Sequence, residues 1–166
     1  MKLKILRAGL LAAALGALPA AAQAQLGADA AACRSGRPSI LVNLSHFNQR
    51  TGNIRVAIYN SANTFLQRGQ TLRKINVPVT PGGPMRVCIA VPQPGTYAVA
   101  VRHDVDGDNA RGDWSDGGGF SRNPSLSLMH LRPRFGDVAV NVGQGTLGVN
   151  VVLNYRSGLS IRPGNG

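Results

Sequence analysis

Five of the seven carboxylates in this chain fall in one short stretch, at Asp104, Asp106, Asp108, Asp113 and Asp116, and there is no Glu anywhere. Acidic side chains spaced by two, with Gly107 and Gly112 to let the backbone curl, are how a loop gathers hard oxygen ligands around Ca²⁺. Residues 102–122 carry three cations against five anions, and crowding like charges costs repulsion unless something offsets it. Two arrangements do so. In one, the five Asp are candidate ligands to a divalent cation. In the other, they form an Asx-turn loop, capping backbone N–H groups and pairing with Arg102, Arg111 or Arg122. The match to an EF-hand is partial. Asp104, Asp106 and Asp108 take the first, third and fifth positions, Asn109 replaces the Gly of the sixth, and Ser115 replaces the bidentate Glu of the twelfth. No flanking helices are expected, so the EF-hand is rejected and a looser Ca²⁺ loop stays open.

The same stretch holds the candidate ligand-contacting residues His103, Trp114 and Phe120. A Trp and a Phe beside the glycines at 117–119 can stack on a sugar or an apolar partner. The favoured expectation is that they tuck beneath the loop as its private core, since buried aromatics are the common case. His103 next to Asp104 has the residue types of a base and its orienter, with a satisfied structural His as the commoner alternative. No Gly-x-Ser-x-Gly elbow and no His-Glu-x-x-His occurs in the sequence. No catalytic residue is assigned, and the expected class is a non-enzymatic binding or envelope-associated module. The alternative is a small hydrolase or carbohydrate-active enzyme that uses two Asp of this loop.

Around the loop, the sequence describes an exported β domain. A basic start, an apolar run over residues 8–22 and Ala22-Gln23-Ala24 give the three-part order of a signal peptide over residues 1–24. The run is short of the roughly 20 residues that a bilayer span needs. The mature protein is therefore expected to be periplasmic or secreted, with no transmembrane segment. Cys33 and Cys88 are then an expected disulfide.

Past residue 24 the chain has 15 basic and seven acidic residues, with Lys74 the single Lys. Export argues against nucleic acid as the partner. The remaining implication is an anionic envelope component, lipid phosphate or acidic polysaccharide, bound through Arg; otherwise the scattered Arg only keep the domain soluble.

Short alternating segments separated by turns predict a single antiparallel β-sandwich of about seven strands over residues 39–156. A flexible extension, 25–38, precedes it and a tail, 157–166, follows. Strands are expected near 39–45, 54–59, 71–79, 85–91, 96–102, 135–142 and 147–155, with Pro78 marking an edge and residues 103–134 irregular. Tyr97, after Pro94-Gly95, is expected to bond its hydroxyl to nearby backbone as a tyrosine corner does.

Taken together, Ile54-Arg-Val-Ala-Ile-Tyr-Asn-Ser61, Pro94-Gly-Thr-Tyr-Ala-Val-Ala-Val101, His103-Asp-x-Asp-Gly-Asp108, Gly118-Gly-Phe-Ser121 and Phe135-Gly-Asp137 resemble domain-of-unknown-function family 2141. The likeness covers roughly residues 39–155. It implies a secreted bacterial β-sandwich, similar in the Pro-Gly-Thr-Tyr strand to transthyretin-like and carboxypeptidase-regulatory domains, and it implies no activity. Asn109 departs from the Gly that members commonly carry there.

Overall fold

A computed structural model describes residues 25–109 and 113–166; the expected leader and three loop positions, Ala110, Arg111 and Gly112, lie outside the described residues. The elements run β1 (Gln25–Leu26), α1 (Ala30–Arg34), β2 (Ser39–Ser45), β3 (Asn53–Tyr59), β4 (Arg73–Pro78), β5 (Met85–Ala90) and β6 (Gly95–Asp104). They continue as β7 (Gly117–Phe120), α2 (Phe135–Val138), β8 (Ala139–Val142), β9 (Thr146–Val152), β10 (Asn154–Ser157) and β11 (Ser160–Pro163). The smaller sheet has the order β1-β5-β2-β9. The larger has the order β11-β10-β7-β6-β3-β4, with β8 also on β6. Pairing is antiparallel except at β1/β5 and β2/β9. The expected β-sandwich is the fold.

Period-two alternation builds the layer between the sheets. Ile40, Val42, Ile54, Val56, Ile58, Val87, Ile89 and Val99 all turn inward with no exposed surface. At roughly 25 cal/mol for each Å² of apolar surface buried, this layer is the main stabilising contribution. A second, smaller cluster lies on the outer face of the larger sheet. There Phe65 packs edge-on against Tyr59, Phe120 and Phe135 at centroid distances of 5.3, 6.1 and 5.9 Å. Tyr97 is the expected corner: its hydroxyl donates to the Gln93 carbonyl at 2.7 Å. Pro78 ends β4, an edge strand, as its missing N–H requires.

Several segments differ from their expected form. Residues 103–134 are not irregular throughout, since β6 reaches Asp104 and Gly117–Phe120 is a strand between β6 and β10. Glycine is a poor strand former, so this run reads as loop in sequence. Tertiary packing demands it: a Cβ at Gly117 would lie 2.2 Å from the Tyr155 ring, and one at Gly119 would lie 2.3 Å from the Val152 carbonyl oxygen.

Residues 135–142 divide into the short α2 and β8. The expected strand at 147–155 breaks at buried Leu153, whose N–H bonds the Ser45 carbonyl while the chain crosses from the smaller sheet to the larger. Beyond residue 156 the chain turns back as β11, in register with β10.

The extension at 25–38 is tied down rather than loose. Gln25–Leu26 pair with β5, and the Asp29 carboxylate binds the Arg73 guanidinium and accepts the Ala90 N–H at 2.9 Å. Cys33 is joined to Cys88 across 55 residues.

Candidate functional site

The acidic loop leaves β6 at Asp104 and re-enters the sheet at Gly117. Asp104 is buried, and its two carboxylate oxygens accept the N–H groups of Gly107 and Asn109, each at 3.1 Å. Asp106 accepts the Asp108 N–H at 3.2 Å. Asp116 accepts the Val105 N–H at 3.2 Å and holds Arg102 through Nε at 3.0 Å and Nη2 at 2.9 Å. Positive φ angles of 76° at Gly107 and 61° at Asn109 turn these N–H groups toward the carboxylates. Asn109 thus takes the left-handed conformation that its position in the motif called for, and its side-chain oxygen accepts Arg55 Nη2 at 3.3 Å.

The loop also concentrates oxygen atoms. One carboxylate oxygen each from Asp104, Asp106 and Asp108 lie within 4.8 Å of one another, and the same holds for Asp106, Asp113 and Asp116. Asp106 belongs to both sets. All five candidate ligands are therefore brought together, into two sets that share a member. The Asp108 charge first, then slight desolvation and the charges of Asp106 and Asp116, push the Asp113 carboxyl above its usual range against the pull of Arg102.

His103 lies at the base of the loop, inside the core. Its side chain has no exposed surface, Nδ1 is 2.6 Å from the Tyr155 hydroxyl, and Nε2 is 2.9 Å from the Thr51 carbonyl. Thr51 can only accept, so Nε2 carries the proton and Tyr155 donates to Nδ1. Both ring nitrogens are committed inside the core. Burial, ahead of the opposing Thr51 bond and the charges of Asp116 and Asp104, holds its pKa down, and Arg50 adds to the effect. Desolvation pushes the Tyr155 phenol up to about 12.

The two aromatics part company. Phe120 is half-buried in the outer-face cluster. Trp114 does not tuck beneath the loop: it is 68% exposed, with the Arg156 guanidinium 3.1 Å above its ring centroid. The glycines that follow it belong to β7.

The outer face of the larger sheet carries a groove of about 780 Å³. Its floor includes Ala57 and Ala100, small residues on β3 and β6. Around it stand Arg55, Arg68, Arg73, Lys74, Arg102 and Arg132, and no carboxylate is among the described residues that line it. Arg55 and Arg102 are direct register partners on adjacent strands. Three of the cations are fixed in place: Arg73 by Asp29, Arg55 by Asn76 at 3.0 Å, and Arg102 by Asp116.

A family model described as an uncharacterized protein conserved in bacteria (DUF2141) matches residues 42–150. The chain belongs to this family. No curated protein and no solved structure matches it. The DUF2141 match spans β2 to β9, and so contains the acidic loop and most of the groove's cations.

Sequence reasoning found the acidic loop of this DUF2141 chain because its charges are contiguous. It missed the groove because the cations come from three strands and two connecting segments, and nothing in their linear spacing marks them as neighbours. The one available signal was alternation: Arg55 and Arg102 occupy the outward phase of strands whose other phase is mostly apolar, His103 being the exception.

Proposed function

We propose that this protein is an exported, non-enzymatic module that binds an anionic component of the cell envelope in the groove of its larger sheet, with the neighbouring Asp loop ordered by Ca²⁺. One observation carries the reading: five Arg and one Lys converge on a single groove whose described lining has no carboxylate. Arg55 stands directly opposite Arg102 on the adjacent strand; Arg102 is ion-paired with Asp116, while Arg55 bonds the neutral side-chain oxygens of Asn76 and Asn109, so Arg55 is the guanidinium of this pair best placed to meet an incoming anion. Fixed guanidinium groups also lose less freedom on binding phosphate or carboxylate than mobile ones would. The groove is within the size range of small-molecule sites, about 300–1,000 Å³. Export is supported by the leader-like sequence at residues 1–24 and by the Cys33–Cys88 bridge, a bond that persists in oxidising compartments.

The test is retention of the purified protein on dextran sulfate and binding of inorganic pyrophosphate, each across a salt series. Binding should weaken as salt rises, and Arg68→Ala/Arg132→Ala should weaken it about tenfold, since a hydrogen bond to a charged group contributes about 1.5–3 kcal/mol. A flat salt response, or unchanged binding by the double variant, removes the reading.

A second reading, hydrolysis of a glycosidic bond, is favoured by one observation. Asp113 and Asp116 line a smaller cavity of about 290 Å³ beside Trp114. The first carboxyl is pushed toward the protonated form, and the second is paired with Arg102. Two neighbouring carboxyls in unlike surroundings are the arrangement from which such chemistry starts. Turnover of aryl glycosides, abolished in Asp113→Asn, would support it; no turnover by the unaltered protein discards it.

A further inference from the structure

Resting on the anion-binding reading, we infer that the groove's ligand is a single-chain phosphate amphiphile, with its phosphate among the arginines and its hydrocarbon chain in the adjoining cavity beside Trp114.

The two cavities on the outer face adjoin. Val101, Phe120 and Leu131 line both the 780 Å³ and the 290 Å³ compartments. Their characters differ. The larger compartment is ringed by cations. The smaller is lined by Trp114, Leu126, Leu128, Ile161 and Arg156 in addition to the shared three. Three leucines and an isoleucine are poor partners for a sugar ring, whose hydroxyls need hydrogen bonds, and good partners for methylene groups. Trp114 and Leu131 are 68% and 48% exposed, so a chain laid against them would remove large apolar surfaces from water.

Charge sets the polarity of the ligand. Asp113 and Asp116 border the smaller compartment with one cation, Arg156, stacked on Trp114, whereas six cations and no described carboxylate border the larger. An anionic group is favoured at the Arg55–Arg102 end over the Trp114 end. Only a molecule with its negative charge at one end and an uncharged apolar remainder satisfies both compartments. An acidic polysaccharide, charged along its length, would place anions beside Asp113 and Asp116.

The chain has a single Trp, so intrinsic fluorescence reports on the smaller compartment alone. The purified protein is titrated with dodecyl phosphate below its micellar concentration, and in parallel with ethyl phosphate, dodecyl maltoside and dextran sulfate. Dodecyl phosphate should give a saturable blue shift of Trp114 emission. Ethyl phosphate and dodecyl maltoside should each bind at least roughly tenfold more weakly, an effect that about two buried methylenes would supply in the first case. Leu128→Asp, in the smaller compartment only, should erase the preference for dodecyl over ethyl phosphate while leaving ethyl phosphate binding, read by calorimetry, intact, which also shows that the variant is folded. Equal binding of ethyl and dodecyl phosphate, or binding of dextran sulfate in preference to both, overturns the amphiphile and leaves the anion groove standing. Failure of all three anions overturns both.

Discussion

The Tyr155 hydroxyl reaches across a whole strand to donate to His103 Nδ1 at 2.6 Å. Tyr155 lies on β10, His103 on β6, and the residue between them in register with both is Gly117 of β7. Because Gly117 has no side chain, the Tyr155 ring lies over the middle strand and its hydroxyl meets the imidazole. Three residues far apart in sequence therefore form one buried row at the base of the acidic loop, where it leaves and re-enters the sheet.

Filling that row should break it. Gly117→Ala places a Cβ 2.2 Å from the Tyr155 ring, and should destabilise by about 2–4 kcal/mol through forced repacking and the loss of a buried hydrogen bond. Tyr155→Phe, which removes the hydroxyl alone, should cost about 1–3 kcal/mol by leaving Nδ1 unsatisfied. Urea unfolding of both variants measures this; a Gly117→Ala protein as stable as the parent contradicts the packing account.

The same imidazole sets a pH dependence. In the unfolded chain His103 titrates near 6.5, and in the fold its burial, working against the Thr51 bond and the Asp116 and Asp104 charges, holds it lower. As pH falls from about 6.5 toward the folded value, the unfolded chain takes up a proton that the native protein does not. Stability is then full above about 6.5 and declines through that window. Melting temperature should fall between pH 7 and pH 5, and His103→Asn, though less stable at pH 7, should show a shallower slope. Equal slopes would mean that another group titrates in this window.

The bridge from Cys33 to Cys88 closes 55 residues of chain. On the loop-entropy account it contributes about 4 kcal/mol, and Cys33→Ser/Cys88→Ser should lower the denaturation midpoint accordingly. Release of the bridge should also loosen the segment from Gln25 to Arg34, seen as faster amide exchange there, leaving the β1–β5 pairing, the Thr146 bond to the Cys33 carbonyl and the contacts of Asp29 with Arg73 and the Ala90 N–H as its polar anchors. Unchanged exchange over those residues would show that these contacts hold the segment without the bridge.

Calcium should bind the Asp loop with modest affinity, a dissociation constant of about 10⁻⁴–10⁻³ M being usual for extracellular modules. Asp106 belongs to both oxygen sets, so calorimetry on Asp106→Ala/Asp108→Ala should show the heat abolished rather than reduced. If neither protein gives heat, the carboxylates serve as Asx caps alone.

The sequence by itself determined the sandwich, because period-two alternation in segments such as residues 54–59 is a local statement about which side of a strand meets water. It also determined the acidic loop, whose charges are neighbours in the chain, and the left-handed turn at Asn109. Tertiary structure alone decided that three glycines form a strand, since Gly117 and Gly119 are required by the approach of Tyr155 and Val152 and not by any propensity of their own. It decided that His103 faces the core and Trp114 faces solvent, which depends on where β10 lies. It also decided that six scattered cations share one groove. Register between strands brings Arg55 beside Arg102 across 47 residues of sequence, and no one-dimensional pattern encodes a distance that only pairing creates.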